Sequence, residues 1–274
     1  MALSRRDFVK LCSGTVAGFG VSQMFHPAIH EAFAQTLTGE RPPVFWVQGQ
    51  GCTGCSVTLL NSTHPSIADV LLKIISLEFH PTVMAAEGEG AYEHMMRVAE
   101  KFKGKFIFAV EGAVPVAHDG KCCVVAEADH HEVTMTEVTK VLAANAAAVL
   151  AVGTCAAYGG IPAGKGNETG AMGVSAFLKK EGIPAPVINI PGCPPHPDWI
   201  VGTIGLGLQA LATNTLGLLV KQGLDANGRP KAFYKNVHMN CPHLSAFEAG
   251  PMVKTISDKD GCRFSMGCKG PRRA

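Results

Sequence analysis

Residues 44–61 read VFWVQGQGCTGCSVTLLN, and this stretch decides the fold. An apolar run is followed by a glycine-rich loop and then by a segment with helical spacing, an order typical of a strand-to-helix turn. The loop has the Gly-x-Gly-x-x-Gly spacing of a dinucleotide-binding turn, starting at Gly49, and it also contains the pair Cys52 and Cys55. It therefore predicts a dinucleotide site, a redox disulfide or half of a metal centre.

The same alternation of apolar runs and helical segments continues to about residue 200. Predicted strands after the first are IISLEF (74–79), KFIFAVEG (105–112), AAVLAVG (147–153) and APVINIPG (185–192). Predicted helices are residues 56–74 with an interruption at Pro65, 90–102, 134–146 with Thr134 or Thr136 as N-cap, 170–182 and 202–220. Continuous apolar strands that alternate with helices indicate an α/β fold, a parallel sheet with helices on both faces. Ligands of such sheets bind beyond the carboxyl ends of the strands.

Two more cysteines follow strands of this sheet. Cys155 comes after AAVLAVG and Cys193 after APVINIPG, so three strand ends bring four cysteines to one edge. A dinucleotide turn is disfavoured because Cys52 would crowd the pyrophosphate and Pro65 interrupts the next helix. A thioredoxin-like pair would leave Cys155 and Cys193 unexplained. Four thiolates at one point suit a four-iron cluster or a structural zinc ion, and one close pair with two distant single cysteines favours the cluster.

Glycines flank each of these cysteines. Gly51, Gly54, Gly153 and Gly192 are expected to let backbone N–H groups approach the bound group closely.

The C-terminal part of the chain contains a second possible ligand set. VHMNCPHL supplies His238 and Cys241, and DGCRFSMGCKGP supplies Cys262 and Cys268. These residues predict a second cluster or, alternatively, a zinc site with one histidine and three cysteines. His238 has better ligand spacing than the nearby His243. A neutral imidazole in place of a thiolate should raise the potential of a cluster.

The N-terminus and the composition limit the cellular setting. Arg5 and Arg6, a short apolar run and the small-x-small site at residues 32–34 predict that residues 1–34 are a twin-arginine export signal. Export after folding favours cysteines that already bind metal. The net charge of +2 does not indicate nucleic acid or an anionic membrane as a partner. We place a domain boundary near residue 205, which gives an α/β domain over 35–205 and a cysteine-rich domain over 206–274.

These motifs, in this order, resemble the small subunit of nickel–iron hydrogenases. The resemblance covers nearly the whole chain and rests on SRRDFVK, CTGCS, ISLEFHPTVMA, VEGA, AVGTCAAYGGIPA, PGCPPHPDW, GRP, HMNCP and GCKGP. Gly51, where many members have glutamate, and the form GCPPHPDW are most similar to the nickel–iron–selenium, periplasmic branch.

The resemblance implies a flavodoxin-like domain and two ligand sets. A proximal four-iron cluster would be bound by Cys52, Cys55, Cys155 and Cys193, and a distal one by His238, Cys241, Cys262 and Cys268. Nickel and iron, or nickel, iron and selenium, would lie only in a partner large subunit that splits hydrogen. This chain would pass electrons to a periplasmic acceptor such as a multihaem cytochrome c. Any association with a membrane would occur through partners.

The sequence departs from the family near its end. Members continue past CKGP with three more cysteines that bind a medial cluster, whereas the sequence given ends at Ala274, so the C-terminal domain is expected to be incomplete. The adjacent Cys122 and Cys123 would point to opposite faces of a strand and are expected to be structural. The alternatives to a hydrogenase small subunit are a protein that carries clusters within a quinone oxidoreductase and a zinc-stabilised protein without redox function.

Overall fold

A five-stranded parallel sheet forms the centre of the fold. The computed structural model describes residues 41–62, 65–234, 238–239, 241–255 and 257–270, so the predicted export signal lies outside the described residues. The strands of the sheet are β1 (Pro43–Gln48), β2 (Ser76–Phe79), β3 (Ile107–Glu111), β6 (Ala148–Val152) and β7 (Val187–Ile190). Their order is β2-β1-β3-β6-β7. This is the flavodoxin-like order, in which the direction of winding reverses between β1 and β3, and it confirms the predicted fold class.

The strands are buried because both faces of the sheet are covered. Phe45 and Val47 of β1 belong to a core on one face, with Met95, Leu142 and Phe177 from helices. Because side chains alternate along a strand, Val44 and Trp46 point to the other face, where Leu59, Val70 and Ile204 line a small apolar cavity of about 20 Å³ with them. Every residue of β3 and β6 is buried, which matches their continuous apolar sequences.

The helices connect the strands in the expected alternation. Their bounds are α1 (Gly54–Leu60), α2 (Ile67–Asp69, continued by a π-helical turn at Val70–Ile74), α3 (Gly88–Lys101), α4 (Met135–Asn145), α5 (Gly153–Tyr158), α6 (Val174–Lys180), α7 (Pro197–Ala212), α8 (Leu216–Leu218, continued by a π-helical turn at Leu219–Gly223) and α9 (Leu244–Ala249). The interruption at Pro65 separates α1 from α2. Helix α7 begins at Pro197, earlier than the sequence pattern indicates, because proline is favoured in the first turn.

A β-hairpin stands beside the main sheet. Strands β4 (Val124–Ala128) and β5 (His131–Thr134) pair antiparallel directly before α4. Thr134 is the N-cap of α4, and it forms a capping box with Glu137 in which each side chain binds the other residue's backbone N–H. This settles the choice between Thr134 and Thr136 in favour of Thr134.

Contacts within the chain divide it into two compact units, the first ending at Pro230 and the second beginning at Lys231. The division falls after the change of sequence character near residue 205, because α7 packs against α1 and β7 in the first unit. The second unit contains α9 and a 3₁₀ turn at Arg263–Met266. Across the residues described above, no helix is long and apolar enough to span a bilayer.

Candidate metal centre

Three β-to-α connections bring four cysteines to the carboxyl edge of the sheet. Cys52 lies in the loop after β1, and Cys55 lies in the first turn of α1. Cys155 is in the first turn of α5, which starts immediately after β6, and Cys193 follows β7. All four are free thiols, with Cys52 and Cys193 exposed and the other two partly buried. The structure therefore places the predicted proximal ligands at the edge where parallel sheets bind ligands.

The two partly buried thiols of this set have raised pKa values. Burial raises the pKa of the Cys55 thiol, and the charges of Glu111, Cys52, Cys155 and Cys193 raise it further. Burial also raises the pKa of Cys155, with smaller contributions from Cys193, Cys52 and Glu111 and an opposing hydrogen bond from the backbone of Ile161. The raised pKa values favour the protonated thiols of Cys55 and Cys155, and a bound cation would offset this by stabilising their thiolates.

Glycines make room for the sulfur atoms. A Cβ on Gly153, whose φ is +88°, would collide with Cys55 Sγ, and a Cβ on Gly160 would lie 2.7 Å from Cys155 Sγ. A Cβ on Gly54 would lie 3.1 Å from Cys52 Sγ. The space around three of the four sulfurs therefore depends on the absence of side chains, as expected of a cradle built for a bulky group. Gly160 was not predicted as a site residue.

Gly51 and Gly192 lie in the same loops but contact other groups. A Cβ on Gly51 would lie 3.2 Å from Gly112 Cα, so this glycine allows the loops after β1 and β3 to approach each other. The N–H of Gly192 donates to Thr154 Oγ1 at 3.1 Å, and its carbonyl oxygen accepts from the N–H of Thr154 at 2.9 Å. This pair of bonds joins the loop before Cys193 to the start of α5, which contains Cys155.

The buried carboxylate of Glu111 is hydrogen-bonded to the backbone of Cys55. Glu111 was not among the site residues predicted from the sequence. Glu111 is the last residue of β3, and its side chain is only 3% exposed. Its Oε1 accepts the N–H groups of Cys55 at 2.9 Å and Ser56 at 3.2 Å. Its Oε2 accepts from Ser56 Oγ at 2.5 Å and from Trp46 Nε1 at 3.0 Å. An acidic residue at the end of an otherwise apolar strand, next to a predicted ligand site, is the sequence signal that could have identified it.

The hydrogen-bond chain continues to a buried histidine. His80 is 3% exposed, its ring stacks on Trp46, and its Nε2 lies 3.1 Å from Ser56 Oγ. Its Nδ1 accepts the N–H of Thr82 at 3.2 Å. The ring must therefore carry no proton at Nδ1, and Nε2 donates to the serine. Burial lowers the pKa of His80, with the charge of Glu111 opposing the shift.

The histidine predicts a loss of stability in acid. Because the folded-state pKa is below the value of about 6.5 for an unfolded chain, the free energy of unfolding should be greatest above that pH and should fall as pH decreases towards the folded-state value. The variant His80→Gln should flatten this part of the profile, as measured by denaturant unfolding between pH 7 and pH 5. The exposed His130→Gln is the matched control and should leave the slope unchanged. An unchanged slope in His80→Gln would contradict the prediction.

The second unit also brings predicted ligands near one another. A Cβ on Gly270 would lie 3.5 Å from Cys268 Sγ and 3.7 Å from His238 Nδ1, so these two side chains are close to one point. The N–H of Cys241 donates to the carbonyl oxygen of His238 at 3.1 Å. Cys262 is buried, and its backbone pairs with Pro251 and Val253.

His243 has different contacts from His238. Its Nε2 lies 3.4 Å from an Arg263 guanidinium nitrogen, a cationic neighbour that does not suit a metal ligand. The ring of His238 instead packs edge-on against Phe247, with centroids 4.5 Å apart. The structure thus supports His238 as the better candidate of the two.

The side chains at the carboxyl edge of the sheet are sulfur ligands. Within the ranges that the structure describes, no group of three or more histidine, cysteine, aspartate or glutamate side chains is placed to hold one metal ion. Four thiols lie beyond the sheet, with glycines around three of their sulfur atoms. Their chemistry is that of the ligands of iron–sulfur clusters.

Comparison with known proteins supports one family. Residues 52–206 match the family model described as NADH ubiquinone oxidoreductase, 20 Kd subunit. Residues 233–274 match the model for the C-terminal region of the NiFe/NiFeSe hydrogenase small subunit. The chain is 52% identical to the periplasmic [NiFeSe] hydrogenase small subunit of Desulfomicrobium baculatum, over 99% of this chain and 86% of that protein.

Solved structures agree with this match. The [NiFeSe] hydrogenase of Desulfovibrio vulgaris Hildenborough superposes with a TM-score of 0.81 at 65% identity, covering 86% of this chain and 85% of that one. The Ni-Fe-Se hydrogenase of Desulfomicrobium baculatum gives 0.79 at 52% identity, with 85% of each chain covered. The chain belongs to the small-subunit family of nickel–iron hydrogenases.

Membership of this family defines the chain's class of activity. Its members are small subunits of hydrogenase heterodimers, whose catalytic site is on the large subunit, and they carry iron–sulfur clusters. The relatives with the nickel–iron–selenium name match the branch that the sequence predicted. The match over nearly the whole chain favours this family over a quinone oxidoreductase protein, although the first unit shares its family model with one.

Proposed function

We propose that this chain is the electron-transfer subunit of a periplasmic hydrogenase. It would carry electrons between the nickel–iron or nickel–iron–selenium site of a large subunit and a periplasmic acceptor such as a multihaem cytochrome c. The observation that carries the proposal is the convergence of Cys52, Cys55, Cys155 and Cys193 at the carboxyl edge of the sheet. The predicted twin-arginine signal and the periplasmic naming of relatives support the periplasmic setting.

The proximal site would be held by these four cysteines. When bound, a four-iron cluster supplies reversible one-electron transfer. The chain's own residues would supply four thiolate ligands. The glycines leave space for the cluster beside the sulfur atoms, and the site is partly buried. Helix α1 begins at the site, and its first turn is fixed by Glu111 through the backbone of Cys55 and Ser56.

The distal site would be held by His238, Cys241, Cys262 and Cys268 in the second unit. We propose a domain organisation of an export signal over 1–34, a flavodoxin-like domain and a C-terminal iron–sulfur domain.

Metal analysis tests the cluster proposal directly. The purified heterodimer should contain iron and acid-labile sulfide in comparable amounts, with the small-subunit clusters seen by electron paramagnetic resonance after reduction. The variant Cys55→Ala should lose the signal of one cluster and should keep that of the other. Stoichiometric zinc in the small subunit without iron or sulfide would contradict the proposal and would favour the zinc alternative.

The histidine ligand of the distal site makes a separate prediction. In His238→Cys, a thiolate replaces a neutral imidazole, adds negative charge and should lower the reduction potential of the distal cluster. The measurement is a redox titration followed by electron paramagnetic resonance. His243→Ala is the matched control, because this histidine lies beside Arg263 and should not change the potential. A distal potential that is the same in His238→Cys as in the wild type would exclude His238 as a ligand.

A further inference from the structure

We propose that Glu111 is a positioning residue that keeps a fixed negative charge beside the proximal site and thereby lowers the reduction potential of the cluster held there. The inference rests on the proposed function, because it requires a cluster on the four cysteines. It assigns a role to a residue that supplies none of the predicted ligands.

The position of Glu111 follows from the sheet. β1 and β3 are adjacent parallel strands, and Gln48 pairs in register with Glu111 at their carboxyl ends. The loop after β1 then returns over β3, since the N–H of Gly49 donates to the carbonyl oxygen of Glu111 at 2.7 Å. The carboxylate is therefore enclosed by the loop that contains Cys52 and Cys55. It lies at the point between β1 and β3 where sheets of this order bind their ligands.

The hydrogen bonds of Glu111 are those of an ionised carboxylate. Four of its partner groups can only donate, and they are the N–H groups of Cys55 and Ser56, the indole N–H of Trp46 and the Nε2 amino group of Gln48 at 3.2 Å. The remaining partner, Ser56 Oγ, has its acceptor positions facing Gln48 Nε2 at 3.0 Å and His80 Nε2, so its proton points to Glu111. A protonated Glu111 would leave one of these buried donors without an acceptor, which is costly.

The carboxylate of Glu111 lies directly beside one of the proposed ligand residues. Its Oε1 accepts the N–H of Cys55 at 2.9 Å, and its side chain is buried. Reduction of a cluster held by Cys55 would add one electron next to this carboxylate. A fixed negative charge in a weakly screened interior opposes that electron, so the oxidised form is favoured.

The test compares charge with side-chain length in the assembled heterodimer. In Glu111→Gln the charge is removed at constant length, and we expect the ratio of reduced to oxidised proximal cluster at the wild-type midpoint to rise about tenfold, equivalent to a positive shift of about 59 mV for a one-electron couple. Glu111→Asp keeps the charge and should shift the ratio by less than about threefold, which is under half that shift. Potentials are read from electron paramagnetic resonance during a redox titration, with iron and sulfide measured on each sample.

A glutamate on β2, which is separated from β3 by β1, provides the control. Glu78 of β2 accepts from Ser76 Oγ and pairs with His94 at 3.0 Å. Its hydrogen-bond partners are on β2 and α3, whereas Glu111 accepts the N–H of Cys55 itself. Glu78→Gln should therefore leave the proximal potential unchanged.

Each outcome decides between the inference and an alternative. Retention of iron in Glu111→Gln with an unchanged potential would overturn the inference. Loss of iron from Glu111→Gln but not from Glu111→Asp would support a requirement for the charge. Loss from Glu111→Asp but not from Glu111→Gln would show that length, and not charge, is what the site needs, and loss from both would show that assembly needs the intact glutamate; either result would overturn the inference. A wild-type sample without iron or sulfide would instead refute the proposed function.

Discussion

Replacing Cys193 by serine is expected to abolish electron flow through the small subunit. Cys193 is the single ligand that we propose for the connection after β7, and that connection contains no second cysteine that could replace it. Loss of even an outer-shell partner of a metal ligand costs about 10–100-fold in affinity or activity, so loss of a ligand should cost more than about 100-fold. Hydrogen-dependent reduction of a dye by the purified heterodimer is the measurement.

The control for this variant is another cysteine of the same chain. Cys122 is partly exposed, and its carbonyl oxygen, which mutation to serine preserves, accepts from Gln50 Nε2 at 3.4 Å. Cys122→Ser should keep full dye reduction and full iron content. Nickel content of the large subunit should be normal in both variants, which would separate a broken electron path from failed assembly. Normal dye reduction in Cys193→Ser would refute the assignment of the proximal ligands.

The second large effect is expected from adding one methyl group at Gly153. In Gly153→Ala, the new Cβ would collide with Cys55 Sγ, and alanine would also be held at a φ of +88°. The left-handed conformation alone costs about 1–2 kcal/mol per residue, and the collision adds to that cost. We expect the variant to lose proximal iron and to unfold at a denaturant concentration well below that of the wild type.

A glycine in open surroundings shows whether this effect belongs to the site. Gly90 lies inside α3, and a Cβ there would meet no atom within 4 Å. Gly90→Ala should therefore stabilise the chain by about 0.5–1 kcal/mol, since alanine loses less backbone entropy in a helix. Equal iron content in Gly153→Ala and wild type would show that the space at Cys55 is not needed for the bound group.

The main sheet was predictable because its strands have an unusually simple pattern. IFAVE and AVLAV are buried at every position, and apolar runs of this length that alternate with helices have few other interpretations. The four cysteines follow strand ends, so their convergence at one edge could be inferred from topology alone. The sequence narrowed the N-cap of α4 to Thr134 or Thr136. The reciprocal hydrogen bonds between Thr134 and Glu137 identify Thr134 as the cap.

The residues behind the site could not be found in this way. Ser56 is separated along the chain from Glu111 by 55 residues and from His80 by 24, and their contact depends on the register of β1 with β3 and on how α1 sits over the sheet. Periodicity predicts which residues are buried but does not predict which buried polar groups meet. The packing of α7 on α1 could not be inferred either, because in sequence α7 resembles the start of a new segment.

The spacing of the four cysteines along the chain has a consequence for assembly. Cys155 follows Cys55 by 100 residues and Cys193 follows Cys155 by 38, so the last proposed ligand is synthesised long after the first. A nascent chain that has reached only the end of β6 lacks β7 and both Cys155 and Cys193. Joining points this far apart removes much of the freedom of the unfolded chain, and the entropy involved grows with the logarithm of loop length. Insertion of the proposed proximal cluster should thus follow completion of the sheet. The bound cluster should then stabilise the carboxyl edge by joining its three connections.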